Sequence, residues 1–282
     1  MKGFRRPFRY GSLSIQNEFR QVHLYLIVLV TFAVIQYCIG GVAGYLAKSA
    51  DQMHVFELYI YFMTTRFSQI LYLMGIIALS CGTLFYSHGA AYYLVRGSRK
   101  SWAMGQCVYL LVMVVCYNLF LLTSLCLSTG GHLTLANQWS ETIYLANQFN
   151  FSGMGMIPLL QSSDSILLMS PAAAGLLTFL LSVLVGMATG MVVICCGLRA
   201  KGIYGVAIIG ITWFADYLIE DSSIASTLRL ISPYGVSKLG WLLQRGGILG
   251  ILYGIVFFCI LIAIEFYILL GSAEKIDFVK LE

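Results

Sequence analysis

Polar residues in this chain are gathered into short clusters, and between them run six stretches that are apolar on every side: about 22–46, 67–95, 105–128, 172–197, 203–220 and 248–271. A helix needs about 20 residues, at about 1.5 Å each, to cross about 30 Å of hydrocarbon. All but one run exceed that length; 203–220 is the shortest and ends in acids. A strand of a membrane barrel would alternate polar and apolar positions, which these runs do not do. The pattern predicts an all-α fold, one polytopic transmembrane domain over 1–282 with six transmembrane helices. The first run is too long, and followed by too many others, for a cleaved signal peptide, so it is expected to stay in the mature protein.

Composition agrees with the pattern. Hydrophobic residues make up 59 % of the chain and charged residues 10 %, where a soluble globule carries about a quarter charged. Basic residues set the expected orientation, because Lys- and Arg-rich segments stay on the cytoplasmic side. With both termini in the cytoplasm, the inner segments hold Lys2, Arg5, Arg6, Arg9, Arg20, Arg96, Arg99, Lys100, Arg199, Lys201, Lys275 and Lys280, which is 12 of the 17 bases. The segment from Ser128 to Pro171 has none. The net charge of +5 is then an orientation signal aided by anionic lipid, and it calls for no nucleic acid.

The polar clusters have characters of their own. Residues 1–21 interleave Phe4, Phe8, Tyr10, Leu13 and Ile15 with arginines, as suits a helix lying in the headgroup layer; a disordered basic tail over 1–10 is the competing reading. Segments 129–171 and 221–247 fall outside the cytoplasm. The first carries a near repeat, LANQW at 135–139 and LANQF at 145–149, and a chance-prone glycosylation sequon at Asn150. The second carries RLISPYGVSKLGWLLQR, with Tyr234 and Trp241 spaced as along short amphipathic helices at the outer interface that would cap a pathway.

Candidate chemistry is sparse. The chain has no HExxH, no GxSxG and no Gly-Lys pair for a phosphate-cradling loop. Its eight cysteines lie within the spans without metal-ligand spacing, and its four histidines are scattered, so neither metal nor catalytic residues are expected. Gly40/Gly44, Gly186/Gly190 and Gly246/Gly250/Gly254 are spaced to seat neighbouring helices. Ionisable residues inside spans carry more weight, because hydrocarbon penalises them by a few kcal/mol unless they face protein or water. Asp216 and Glu220 share one face of the fifth span, either as a polar path or cation site or simply where that helix leaves the membrane. Glu265 lies toward the cytosolic end of the last span, where it could pair with an inner-loop arginine or anchor the helix.

Six spans with both ends inside, the basic-aromatic N-terminal segment, the basic turn LVRGSRKSWAMGQ (94–106) and LISPYGVSKLGWL (230–242) together resemble the permease subunit of a type-2 ABC exporter. The resemblance covers nearly the whole chain in layout; segment 129–171 is longer than the family's usual connection. It implies a coupling helix over about 94–104, with Arg96, Gly97, Ser98, Arg99, Lys100 and Trp102 facing an ATPase, and a pathway or outer gate at Asp216, Glu220, Tyr234 and Trp241. It also implies partners: two cytosolic ATPase subunits holding the ATP and Mg, and a second permease that is another copy or a paralogue. This chain itself would bind no cofactor. The expected cargo is hydrophobic or amphipathic, a peptide toxin or antimicrobial peptide first, otherwise a lipid or drug, exported across a bacterial plasma membrane. A secondary transporter, which would show inverted repeats, and a polytopic membrane enzyme, which would show convergent catalytic groups, are the alternatives.

Overall fold

A computed structural model describes residues 5–39, 46–49, 51–85, 99–142, 164–199, 202–220 and 229–274. In chain order the elements are α1 (Arg5–Glu18), α2 (Val22–Ile39), β1 (Met53–His54), α3 (Glu57–Thr64), α4 (Arg66–Phe85), α5 (Arg99–Leu127), β2 (Leu133–Thr134), α6 (Asp164–Leu167), α7 (Pro171–Arg199), α8 (Gly202–Glu220), α9 (Pro233–Val236) and α10 (Leu239–Glu274). Among the described residues the fold is all-α apart from β1 and β2, a two-residue parallel pair. Among the described residues four helices, α5, α7, α8 and α10, are long and apolar enough to cross a membrane, and the count rises to six if the bent pairs α1–α2 and α3–α4 are each one span.

Most helices coincide with the apolar runs, with one systematic difference. α5 begins at Arg99, six residues ahead of the run at 105, and α7 reaches Arg199, two past its run. Backbone hydrogen bonding does not stop where side chains become polar, so a helix that crosses hydrocarbon continues into the headgroup layer until a breaker ends it. The far parts of two expected spans, 40–45 and 86–95, lie outside the described residues.

α7 is the central helix. In its most apolar window 72 % of residues are buried within the bundle, against 17 % for α8 and α10, and it packs on α3, α4, α5, α8 and α10. Its small residues seat neighbours inside this chain: a Cβ at Gly186 would strike the Tyr72 hydroxyl and Val114, and one at Gly190 would strike Leu110 and Ser80. Large exposed apolar side chains on α2, α8 and α10, among them Leu29, Ile211, Phe214, Leu252 and Ile260, form surface that suits acyl chains rather than water.

α1 is a helix from Arg5 onward and bends 69° into α2. It packs along the start of α5, backbone against backbone: a Cβ at Gly105 would stand 3.0 Å from the Pro7 carbonyl oxygen, and one at Gly11 would stand 3.1 Å from the Gly105 carbonyl oxygen. Gln106 Nε2 donates to Ser14 Oγ at 3.3 Å across the same crossing. At the corner, buried Glu18 meets His23 Nε2 at 2.6 Å and Tyr25 donates to the Phe19 carbonyl at 2.8 Å.

Two elements depart from simple spans. Thr65 is extended (φ −85°, ψ 139°), which turns α3 by 86° against α4. Gly247 breaks α10 with φ 56° and ψ −131°, a left-handed conformation that glycine adopts without steric cost. The arm before Gly247 folds back on the rod after it, so the site of a Cβ on Gly250 is taken by the Leu242 carbonyl oxygen, and one on Gly254 would stand 2.8 Å from the Leu242 side chain. Gly250→Val must push the arm away; we expect a loss of about 1–3 kcal/mol, read as a lower thermal midpoint in detergent, while Gly246→Ala, which meets nothing within 4 Å, leaves the midpoint within about half a kcal/mol equivalent.

Candidate functional site

α3 is stitched into the bundle by a buried polar network. Tyr59 donates to Asn118 Oδ1 at 2.7 Å and its hydroxyl lies 2.6 Å from Ser182 Oγ. Ser182 donates to Asn118 Oδ1 at 2.8 Å, Asn118 Nδ2 bonds the Tyr72 hydroxyl at 3.1 Å, and Tyr72 donates to the Ser182 carbonyl at 2.6 Å. These four residues come from α3, α4, α5 and α7, and each is at most 4 % exposed. Away from water such groups must satisfy one another, so the network ties α3 to α4, α5 and α7.

Beside it lies a small cleft with about 20 Å³ of space for water-sized occupants, lined by Met63, Gln69, Tyr72, Leu73, Thr178, Ser182, Val185, Tyr234 and Ser237. α3 and α4 supply one wall, α7 the floor, and α9 with the residue after it the opposite wall. Gln69 Nε2 reaches across to Ser237 Oγ at 3.4 Å. α9 starts with Pro233 and is capped by Ser232, whose side chain accepts from the Gly235 N–H; the preset proline φ and the cap let so short a helix form.

Tyr234 is 4 % exposed, and its hydroxyl lies within hydrogen-bonding reach of Thr189 on α7 and Thr212 on α8. The Asp216 and Glu265 carboxylates are both close enough to act on it electrostatically. Asp216 is 3 % exposed, and a Cβ on Gly235 would stand 3.0 Å from its Oδ1 and 2.5 Å from Arg229 Cγ, so Asp216 and Arg229 face the same stretch of the α9 backbone. Glu265 is 7 % exposed, and its Oε2 finds no hydrogen-bond partner in the structure. Arg199, the inner-end arginine nearest that helix in sequence, bonds Ser272 Oγ at 2.7 Å instead. Trp241 is half-buried beneath two guanidinium groups, Arg229 at 5.5 Å and Arg245 at 5.8 Å from its ring. Tyr234 and Asp216 thus meet at one place with Trp241 on the same arm, whereas the side chain of Glu220 lies outside the described residues.

A second polar cluster closes the end of the bundle where α5 finishes. Asp51 Oδ2 accepts the Thr142 N–H and hydroxyl at 2.8 and 2.7 Å, and Glu57 accepts the Ser140 N–H at 2.9 Å and its hydroxyl at 2.6 Å. Met53 and His54 pair with Leu133 and Thr134 between these clamps. His54 Nδ1 accepts the Phe56 N–H at 3.3 Å, and burial lowers its imidazole below the usual histidine value. In the first LANQ motif, Asn137 Oδ1 accepts the Ala172 N–H at 3.2 Å and Trp139 Nε1 donates to the Met169 carbonyl at 2.8 Å. Residues 129–142 are therefore a cap tied to residues 51–57 and to the start of α7; the second LANQ motif and the sequon lie outside the described residues. A sequence reading misses this cap because its carboxylates bind backbone and hydroxyls, for which no motif exists.

Of the basic turn, Arg96, Gly97 and Ser98 lie outside the described residues. Arg99 and Lys100 are exposed on the first turn of α5, and Trp102 is half-buried against the core. From Arg99 the helix runs unbroken to Leu127, so these residues belong to the long helix itself. Among the described residues no group of three or more His, Cys, Asp or Glu side chains is placed to hold a metal. No family model, no curated protein and no solved structure matches this chain.

Proposed function

We propose that the chain is the membrane permease subunit of an ATP-driven exporter, crossing a bacterial plasma membrane six times with both termini in the cytoplasm, and moving a hydrophobic or amphipathic cargo. The observation that carries this reading is the cleft between α3 and α9, two short helices that depart from the spans and face each other across a pocket of mixed polarity. Small-molecule pathways between helices have this character, apolar walls with a few placed polar groups. The basic residues support the orientation: Arg99 and Lys100 stand at one end of the bundle, and the base-free cap stands at the other. The chain has no phosphate loop, so ATP and Mg would be held by two partner ATPase subunits, and the pathway would be completed by a second permease, a copy or a paralogue.

Pull-down of the tagged chain after co-expression with an ATPase encoded beside its gene tests the reading. The ATPase copurifies and its hydrolysis rate changes if the proposal is right; failure to copurify, together with unaltered hydrolysis, removes it. Buried Asp216 and Glu265 favour a second reading, a secondary transporter driven by protons or cations, which predicts transport into vesicles by a pH or ion gradient with no ATPase present.

A further inference from the structure

We propose that Glu57 is a proton-binding site that controls the cap: residues 129–142 close over the protonated acid and loosen when its proton is lost to the solution on that side. The inference goes beyond the transport reading and rests on no part of it. Glu57 is the first residue of α3, lies ahead of the apolar run at 67–95, and is 1 % exposed. Its carboxyl accepts the Ser140 N–H at 2.9 Å and meets the Ser140 hydroxyl at 2.6 Å. Protonation keeps both contacts. One oxygen still accepts the N–H, and the hydroxyl bond reverses, the acid O–H donating to Ser140 Oγ. The closed cap thus satisfies the neutral acid, whereas the ionised acid is withdrawn from water. The segments that build this corner, 51–64, 120–142 and 171–178, contain no Lys or Arg to offset that cost.

Burial outweighs the Ser140 bonds and pushes the Glu57 carboxyl up to about 7, against about 4.3 for an exposed glutamate. The sign follows from linkage. A closed cap that binds the proton more tightly than an open one gains as pH falls, its closed-to-open ratio rising up to tenfold for each unit between about 7 and about 4.3; the gain is lost as pH climbs back through about 7. The other titratable groups of the corner leave this sign in place. Asp51 clamps Thr142 further along the cap, and its charge adds to the cost of ionised Glu57. Glu141, between the two clamps, is exposed; His132 gives its carbonyl to the Met53 N–H, and from α5 Cys126 Sγ bonds the Val55 carbonyl. His54, buried and held toward its neutral form, opposes closure in acid, but does so with or without a carboxyl at position 57. Two residues into α3, Tyr59 is bonded to Asn118, so the proton sets how firmly the first turn of α3 is held ahead of that network.

Infrared titration of the full-length chain in phosphatidylcholine nanodiscs, from about pH 8 to about pH 4.5, reads the protonated-carboxyl stretch. The part of that band lost in Glu57→Gln is expected to titrate with a midpoint near 7. Ser140→Ala, which removes a hydroxyl that favours the ionised form, moves the midpoint upward. Thermal midpoints of the same samples report the cap. Glu57→Gln, whose amide accepts the N–H and donates to Ser140 Oγ at every pH, is the more stable chain at about pH 8, and the gap narrows as pH falls to about 5. A wild-type chain with no carboxyl band titrating above about pH 6 overturns the proposal, as does a band that survives unchanged in folded Glu57→Gln, or a stability gap that does not vary with pH. If Glu57→Gln fails to fold, Ser140→Ala decides alone: a midpoint that it leaves unmoved overturns the assignment to Glu57. No ATPase enters these measurements, so the proton site and the exporter reading stand or fall separately.

Discussion

Asn118→Ala lowers the stability of the bundle by about 2–3 kcal/mol, the largest loss expected from removing one polar side chain here. Interhelical hydrogen bonds in membranes contribute about 0.6 kcal/mol on average and up to about 1.7, and Asn118 joins three partner side chains, Tyr59, Ser182 and Tyr72, on three other helices. The change also leaves a small void at a position that is 0 % exposed. Some of the loss is recovered, because Tyr59 and Ser182 can still bond each other across 2.6 Å; that sets the upper end of the range. Tyr59→Phe, which removes one hydroxyl and no volume, costs about 0.5–1.5 kcal/mol. A double-mutant cycle on these two positions gives a coupling clearly different from zero. Steric trapping in bicelles reads all three values, with Thr123→Ala as the reference, since Thr123 is exposed on the same helix and bonds only that helix's own carbonyls. A loss no greater than that of Thr123→Ala means that α3 is held by apolar packing alone.

The network also marks where sequence reading ends. The long helices were legible because twenty or more apolar residues in a row have few other fates; the run at 172–197 and the helix Pro171–Arg199 differ by three residues in all. α3 was not legible. Its eight residues, ELYIYFMT, are too few to span and too apolar for a loop, and nothing local says that Tyr59 will meet side chains 59 and 123 positions later. Asp216 shows the same limit from the other side: an acid one turn from the end of a short span reads as the helix leaving the membrane, and only the α9 backbone folded against it shows why it stays buried. The spacing of Tyr234 and Trp241 predicts short amphipathic helices at a surface; both residues are helical, but Tyr234 is buried. Pro233, the Ser232 cap and the left-handed Gly247 instead turn that segment inward, and turn residues encode the bend without encoding which way it faces. In the basic turn the charges were plain, and the helix boundary was not.

Reversing Arg99 and Lys100 to glutamate is the change with the largest expected effect on activity: ATP-driven transport into vesicles is lost while the chain still inserts and folds. Both residues stand exposed on the first turn of α5, which carries no acid. The double reversal is expected to leave the chain folded, as read by its thermal midpoint in detergent. Orientation survives as well, since ten of the twelve bases assigned to the cytoplasmic side remain and their excess still sets the topology. What the reversal removes is a positive patch at the entrance to α5, beside the Gly11–Gly105 crossing through which α1 rests on the same helix. On the proposed orientation that patch faces the ATPase, and four units of charge change repel an acidic docking surface where two attracted it. Weakened ATPase copurification with normal insertion is the expected pattern. Normal transport by the double variant would leave these residues with the role of topogenic charge alone, and the coupling surface would then have to be sought on α1, whose position against Gly105 puts it at the same end of the bundle.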